Sequence, residues 1–191
     1  MPRIVDHEAR KSEILSQCFE LFAEHGYSAL TMRKIAQSLN VSTGLLYHYF
    51  DGKFSIFASM FDWIGERDMQ AAAEAIPKSL ALPERVKLLQ AFLLNRSSFL
   101  LRVFMVAIDF QRHTTPEESG PIIKGIIDSY HQSIRVQLEL DEDSDVKAVF
   151  SYILGSLVHH YLNQEAVNLE EQFAVLELIK IFPQLKKELN S

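Results

Sequence analysis

Apolar residues recur at helical spacing along most of the chain. Near the start, Ile14, Leu21 and Phe22 are separated by intervals that place them on one face of an α-helix. Few glycines and prolines interrupt the pattern, and most of them fall between the apolar stretches. The spacing predicts an all-α protein with helices over residues 7–25, 32–39, 43–50, 53–75, 84–97, 99–113, 123–138, 146–162 and 170–182.

Residues 31–53 combine several local signals for a helix, a tight turn and a second helix. The hydroxyl of Thr31 can cap the first of these helices, and that of Ser42 can cap the second. Between them, Asn40 is one of the few residues besides glycine that tolerate a left-handed backbone. The second helix is expected to bury Leu46 and an aromatic residue, and to leave a more exposed side formed by Thr43, Gly44, Leu45, Tyr47 and His48.

This pattern alone allows two interpretations. A helix-turn-helix places its second helix in the major groove of DNA, with the N-terminal residues of that helix on the base edges. The alternative is an ordinary helical hairpin inside an all-α core. Both interpretations predict the same caps and the same apolar spacing, so these features do not distinguish a DNA-binding motif from a helical hairpin.

The amino-acid sequence of residues 14–53 favours the DNA-binding helix-turn-helix. The sequence ILSQCFELFAEHGYSALTMRKIAQSLNVSTGLLYHYFDGK resembles the N-terminal DNA-binding region of the TetR family of transcriptional regulators. The matched features are the helix that ends in LFAEHGY, the T-x-R-K-I-A start, the V-S-T-G turn, the L-Y-H-Y-F helix and a following lysine. The resemblance implies a nine-helix TetR-like fold, with a helix-turn-helix three-helix bundle in residues 1–52 and a helical ligand-binding and dimerisation domain in residues 53–191.

The resemblance also implies a function and the residues that perform it. The chain is expected to be a ligand-responsive regulator, by default a repressor, that binds double-stranded DNA at a palindromic operator. Phosphate contacts position such a protein and base contacts give it specificity. The phosphate contacts are implied for Thr31, Tyr47 and Lys53, with Arg33 and Lys34 as further candidates. The base contacts are implied for Thr43, Gly44, Leu45 and His48, and the cap Ser42 is counted with the DNA-binding residues.

Two residues depart from the family pattern. Leu45 stands where the family often has a hydroxyl or an amide, so we expect it to press on a thymine methyl group rather than to bond a polar base edge. Phe54 stands where an acidic residue usually follows the lysine. This second departure weakens the expected start of the fourth helix and leaves the role of Lys53 unchanged.

Charge is distributed unevenly along the chain. The formal net charge is -6, yet residues 1–54 contain six Lys or Arg and six Asp or Glu, so the excess acid lies beyond them. A neutral DNA-binding region attracts phosphates only weakly over a distance. Affinity is therefore expected to depend on a few oriented contacts and on dimerisation.

A cavity among predicted helices four to eight is implied for a small, largely apolar effector. Arg102, Asp109 and His113 share one stripe of an apolar helix, where charged groups need partners. They can meet a polar or anionic end of the ligand, or pair with each other or with acidic residues elsewhere. The other candidates are Trp63, Phe92, Phe99, Phe104, Met105, Tyr130 and His159, of which the aromatic ones, taken singly, are more often core.

The last two predicted helices, eight and nine, carry apolar residues on more than one side. Leu157 and Phe173 are examples, and Gly155 and Ser156 would let another helix approach closely. These features predict a homodimer through helices eight and nine, which would form a four-helix bundle with their two-fold copy. The alternative is that both helices complete the core of one chain.

Other classes of function have less support. The sequence has no nucleophile elbow, phosphate-binding glycine loop, zinc-protease motif or cysteine cluster, so no catalysis, cofactor or metal site is expected, and the lone Cys18 is assigned to packing. No apolar run appears long enough to cross a bilayer and no signal peptide is visible, which predicts a cytoplasmic protein without a membrane partner. The alternative is a carrier of small apolar molecules, or a helical enzyme, whose N-terminal helices are purely structural.

Overall fold

The structure, a computed structural model, describes residues 7–163 and 168–176, and its regular elements in those ranges are all helical. The predicted all-α class is therefore confirmed. The end of the predicted ninth helix, residues 177–182, lies outside the described residues. In chain order the helices are α1 (His7–His25), α2 (Met32–Ser38), α3 (Thr43–Tyr49), α4 (Lys53–Ala75), α5 (Leu82–Arg112), α6 (Pro116–Leu138), α7 (Asp143–Leu162) and α8 (Leu169–Ala174).

The first three helices begin and end close to where the sequence predicts. Gly26 follows α1 with a φ of 78°, and Asn40 follows α2 with a φ of 53°, so both adopt the left-handed backbone that reverses the chain. The Thr31 hydroxyl accepts a hydrogen bond from an N–H group in the first turn of α2 at 3.2 Å. The Ser42 hydroxyl does the same for α3 at 3.0 Å. These caps fix both sides of the turn between α2 and α3.

α5 is one helix where the sequence predicts two, so the predicted count of nine helices is wrong for the described residues. The sequence predicts two helices over residues 84–97 and 99–113, but these stretches form one helix of 31 residues. No Gly or Pro interrupts either stretch. At the predicted break, the Ser97 hydroxyl donates to the Leu94 carbonyl at 2.9 Å, which lets a serine continue inside a helix. The described residues therefore contain eight helices.

By length and composition alone, α5 could also cross a membrane. An 18-residue window within it has a mean hydropathy of 1.5. The prediction that no apolar stretch reaches this length is wrong by that measure, because it divided α5 into two shorter helices. Core helices of soluble proteins pass the same test but are mostly buried, whereas 17% of this window is buried inside the chain. Val103, Val106 and Phe110 are among the residues of α5 that are buried.

α6 begins earlier than predicted, at Pro116 instead of near residue 123. The Thr115 hydroxyl accepts a hydrogen bond from the Glu118 N–H at 3.4 Å, and the Glu118 carboxylate accepts one from the Thr115 N–H at 3.1 Å. This reciprocal pair is a capping box, and a proline suits the first helical position because its missing N–H is not needed there. Residues 116–122, which precede the predicted start of this helix, are therefore helical.

The packing divides the chain into two compact units, each made of two segments. Unit 1 comprises residues 1–67 and 102–127, and unit 2 comprises residues 68–101 and 128–191. α4, α5 and α6 each contribute one part to unit 1 and another to unit 2. The boundary predicted after residue 52 concerns where the two functions lie, and it stays a prediction.

Aromatic rings form the centre of unit 1. Phe57 of α4 stacks on Phe110 of α5 with the ring centroids 3.9 Å apart, and Tyr27 meets Phe110 edge-on at 4.9 Å. Phe22 of α1 adds an edge contact to Phe57 at 5.1 Å. Cys18 is also buried here, and burial raises the pKa of its thiol to about 12, so the thiol is protonated and unreactive near neutral pH.

Unit 2 has an apolar core of its own, to which α7 and α8 contribute. Leu157 and Phe173, which the sequence places in a dimer interface, are 4% and 0% exposed within a single chain. For these two residues the alternative is right: they complete the core of one chain. The core consists of Ile76, Val86, Leu89, Leu93, Ile134, Leu138, Leu140, Val146, Val149, Ile153, Leu157, Leu169, Phe173 and Leu176.

Candidate functional site

α2 and α3 form a helix-turn-helix whose inner side is fully packed. Ile35 and Ala36 of α2 are buried, as are Leu46 of α3 and Phe50 directly after it. In the turn, the Val41 N–H donates to the Ala36 carbonyl at 2.9 Å. The inner side of α3 is therefore committed to the fold, and only its outer side is available to another molecule.

The outer side of α3 carries the residues predicted to contact bases. Thr43, Gly44 and His48 are exposed, Leu45 is half-buried, and Tyr47 is 56% exposed. A Cβ added at Gly44 would meet nothing closer than 3.8 Å among the described residues, which is an ordinary contact. The packing of the described residues therefore does not require glycine at this position, and the role predicted for Gly44 stays a prediction.

The first residue of α1 contacts the end of α3. Nδ1 of His7 lies 3.2 Å from the Tyr49 hydroxyl, and the rings of His7 and His48 are 5.8 Å apart. The His48 ring also meets the Tyr49 ring edge-on at 5.1 Å. α3 is thus held at its C-terminal end by α1. Periodicity within single helices contains no signal for this contact, and neither His7 nor Tyr49 was predicted as a site residue.

The three cationic candidates differ in their existing partners. The Lys34 ammonium donates to the Ala29 carbonyl at 2.8 Å, and the Lys53 ammonium donates to the Tyr27 carbonyl at 2.7 Å. Partial burial lowers the pKa of Lys53. Arg33 is exposed and makes no hydrogen bond or ion pair with the part of the chain that the structure describes. Arg33 is therefore the cation that can turn to a phosphate at the lowest cost.

The backbone N–H and the backbone carbonyl of Tyr27 each form a hydrogen bond with a charged side chain. Its N–H donates to the Asp109 carboxylate at 2.6 Å, its carbonyl accepts from Lys53, and the Lys53 ammonium lies 3.9 Å from the centroid of its ring. A Cβ at Gly26 would come within 3.2 Å of Asp109. These contacts fasten the connection between α1 and α2 to α4 and α5 within unit 1.

Arg102, Asp109 and His113 all have protein partners in unit 1. Arg102 pairs with Glu20 of α1, with its guanidinium nitrogen 2.6 Å from the carboxylate oxygen. Nδ1 of His113 lies 3.3 Å from the Asp109 carboxylate and 2.8 Å from the Asp109 carbonyl. These three residues were predicted to contact the ligand because charged groups on an apolar helix need partners. Because the chain itself supplies those partners, that reason no longer holds.

The remaining ligand candidates are divided between the two units. Trp63, Phe104 and Met105 belong to unit 1, where the Arg67 guanidinium lies over the Trp63 ring at 4.9 Å. Phe92, Phe99, Tyr130 and His159 belong to unit 2. His159 contacts the Gln172 side chain at 3.0 Å, which links α7 to α8. Within unit 2, Phe92, Phe99 and Tyr130 share contacts with a pair of residues that was not predicted.

That pair is Asp68 and Arg96, which form an ion pair. The Tyr130 hydroxyl donates to the other carboxylate oxygen of Asp68 at 2.7 Å. The Arg96 guanidinium lies 4.6 Å from the centroid of the Phe99 ring and 5.6 Å from that of Phe92. We call Asp68, Arg96 and Tyr130 the Asp68 cluster.

The sequence did contain a signal for this cluster. Asp68 lies four residues after Ile64 and four before Ala72, both of which are buried. A carboxylate on the buried stripe of a helix needs a partner, in the same way as the charges that were predicted on α5. The periodicity of α4 identifies the stripe, but it does not identify Arg96 as the partner.

The geometry of α1 to α3 defines a helix-turn-helix DNA-binding protein, with a buried inner side, an exposed outer side on the second helix and cations beside it. Residues 14–60 match the family model described as bacterial regulatory proteins, tetR family. This match confirms the resemblance to the TetR family of transcriptional regulators that is seen in the sequence.

Relatives of known role agree with this assignment. The chain is 26% identical over 142 residues, 72% of each chain, to IcaR of Staphylococcus aureus, the HTH-type negative transcriptional regulator of the biofilm operon icaADBC. It is 21% identical over 179 residues to the HTH-type transcriptional regulator PksA of Bacillus subtilis, covering 88% of this chain and 86% of PksA. FadR of Bacillus subtilis, solved in complex with stearoyl-CoA, has the same fold, with a TM-score of 0.65 and 21% identity over 87% of this chain and 95% of FadR.

Proposed function

We propose that the chain is a homodimeric repressor that binds a palindromic operator and leaves it when a small, largely apolar effector binds. The exposed outer side of α3, within the part of the chain that matches the family, carries the DNA-binding part of this proposal. The negative role of IcaR supports repression as its direction. In the complex, Thr43, Gly44, Leu45 and His48 meet bases, while Thr31, Arg33, Lys34, Tyr47 and Lys53 meet phosphates.

Exposed apolar residues support the homodimer. Tyr161, Leu162 and Val175 are 54%, 70% and 45% exposed, and they lie at the end of α7 and just after α8. Gly155 on α7 is exposed, and a Cβ added there would meet nothing within 4 Å in the described part of the chain. A helix of the two-fold copy can approach α7 closely at such a position. The two α3 helices of the dimer then read half-sites about 34 Å apart.

An apolar effector is supported by a relative of the same fold and by unit 2. FadR of Bacillus subtilis was solved with stearoyl-CoA, which joins a long apolar chain to a polar head. In this chain, Phe92, Phe99 and Tyr130 bring aromatic rings around a polar cluster. Release requires that the effector bind the DNA-incompetent state more tightly, by about 3 kcal/mol for a hundredfold loss of operator affinity.

Selection of DNA from a random duplex library tests the proposal directly. The full chain is expected to enrich a palindrome and to bind it as two chains per site, at least about 1,000-fold more tightly than a shuffled duplex of equal length at the same salt concentration. Fluorescence anisotropy measures both affinities. Equal affinity for the palindrome and the shuffled duplex would instead support a carrier or enzyme with a structural N-terminal bundle.

Lys53→Ala is expected to weaken binding to all DNA sequences alike. Removal of one phosphate contact per chain should make the salt dependence of a dimer shallower by about two units. Because the ammonium also holds the Tyr27 carbonyl, thermal unfolding should occur at a lower temperature as well. Lys87→Ala, which removes an exposed lysine of unit 2, is the matched control. Lower stability with an unchanged salt slope would make Lys53 a purely structural residue.

Thr43→Ala is expected to relax base preference without changing the salt slope. The hydroxyl of Thr43 is exposed at the start of α3, where a recognition helix meets base edges. Its loss should reduce discrimination between the operator and a single-base variant by about tenfold. Thr43→Ser, which keeps the hydroxyl, is the control. Binding measured over all single-base variants of the operator identifies the position read, and uniform weakening over all of them would contradict a base contact.

A further inference from the structure

The Asp68 cluster places charge inside an otherwise apolar part of unit 2. Asp68 is 4% exposed, whereas 30% of the Arg96 side chain remains exposed. Buried ion pairs of this kind are often no more stabilising than apolar side chains of similar volume. Stability of the fold therefore does not by itself explain why α4, α5 and α6 bring an acid, a guanidinium and a phenol together.

Arg96 has a hydrogen-bond donor that the described part of the chain leaves without an acceptor. Its Nε is buried and has no hydrogen-bond partner among the described residues. A buried N–H group without an acceptor destabilises the folded chain, and an acceptor atom placed beside it would remove that cost. The rings of Phe92 and Phe99, which the guanidinium also contacts, provide apolar surface next to this donor. The arrangement fits a molecule with an apolar body and a hydrogen-bond acceptor.

The charges of the cluster determine which acceptor fits. Asp68 and Arg96 neutralise each other, and burial together with the charge of Asp68 raises the pKa of Tyr130, so the phenol is uncharged. A carboxylate ligand would place a second negative charge beside Asp68, whose own charge already pairs with Arg96. An ammonium ligand would compete with Arg96 for Asp68. An uncharged carbonyl oxygen accepts from Arg96 and carries neither cost.

We propose that the Asp68 cluster is the polar end of the effector site, and that it selects apolar molecules with an uncharged carbonyl over acids and amines. This inference rests on the proposed function, because it assigns chemistry to the effector of that repressor. Arg96 donates to the carbonyl, Phe92 and Phe99 contact the apolar body, and Asp68 holds the guanidinium in place. Arg96 thereby replaces Arg102 and His113 as the polar partner of the ligand.

Three ten-carbon probes with different head groups test the selectivity of the unmodified chain. Isothermal titration calorimetry with 2-decanone, decanoate and decyltrimethylammonium compares an uncharged carbonyl, an anion and a cation. The ketone is expected to bind at least about tenfold more tightly than either ion, which is the scale of one hydrogen bond made without a desolvated charge. Tighter binding of decanoate or of the cation overturns the proposal, and so does the absence of binding by all three.

Asp68→Asn provides a change in selectivity that a merely structural role would not produce. The substitution keeps the shape of the side chain but leaves Arg96 without its counter-ion, so decanoate should gain at least about tenfold in affinity relative to 2-decanone. Arg96→Met should weaken 2-decanone about tenfold, and Lys87→Met on the same helix should change neither ligand. An unchanged order of affinities in a folded Asp68→Asn variant overturns the proposal. If this variant does not fold, the order measured for the unmodified chain decides alone.

Operator binding is measured separately and without ligand. An unmodified chain that prefers 2-decanone but binds no palindrome would overturn the proposed function and leave the ligand chemistry of unit 2 standing. A chain that binds its operator but prefers decanoate would overturn the ligand chemistry and leave the DNA-binding function standing. The two failures are therefore distinguishable.

Discussion

Leu162→Glu combined with Val175→Glu is expected to yield a monomer whose operator affinity is lower by at least about 100-fold. Both side chains are exposed in the single chain, so a charge there leaves the fold intact but opposes burial between two copies. A monomer binds only one half-site, and it loses the avidity that joins the two. Sedimentation velocity gives the oligomeric state, and fluorescence anisotropy gives the operator affinity.

A matched control separates this effect from the added charge. Ala73→Glu, at an exposed position of α4 in unit 2, should leave both the dimer and its affinity unchanged. Leu157→Glu would not serve as a test of the interface, because Leu157 is buried in the core of one chain and a charge there should unfold unit 2. A doubly substituted chain that remained dimeric would place the interface elsewhere.

The helix-turn-helix could be predicted from the sequence because its signals are local. The caps Thr31 and Ser42, and the left-handed residues Gly26 and Asn40, act within a few positions of the turns that they form. A local hydrogen bond or a positive φ depends little on the rest of the fold. Helix boundaries in this region therefore agree closely with the structure.

The proposed effector site was harder to predict because it depends on which helices meet. The stripe of Arg102, Asp109 and His113 was recognised correctly as a set of charges on one apolar helix. Periodicity shows that such charges share a face, but not what lies opposite that face. Opposite Arg102 lies Glu20, whereas Arg96, six residues earlier on the same helix, meets Asp68. Pairing across helices is a property of the tertiary fold.

The two errors in helix boundaries have a common cause. Ser97 and Thr115 carry hydroxyl groups that form hydrogen bonds with the backbone in loops, at helix starts and inside helices alike. In this chain Ser97 continues α5, while Thr115 caps α6. The T-P-E-E sequence that follows Thr114 was a usable signal for the second case, since it joins a capping threonine to a glutamate three residues later.

The DNA-binding helices depend on a residue far from them in the sequence. Phe110 of α5 is 0% exposed and its ring lies against Phe57 of α4 and Tyr27, the residue that leads from α1 to α2. Residues 1–52 alone contain neither Phe57 nor Phe110, so they keep the stacked Phe22 ring but lack the two rings that meet Tyr27 edge-on. The packing therefore makes the end of α5 part of the support of the DNA-binding region.

Phe110→Ala is accordingly expected to destabilise unit 1 by about 3–5 kcal/mol, the usual cost of truncating a buried phenylalanine. Because the lost ring contacts Tyr27, operator binding should fail at a lower temperature than in the unmodified chain. Thermal unfolding measured by circular dichroism, with operator binding measured at the same temperatures, checks both effects. Met105→Ala on the same helix, at a 46% exposed position, should change stability by less than about 0.5 kcal/mol. If Phe110→Ala cost no more than this control, the aromatic cluster would not be the support that holds the DNA-binding helices in place.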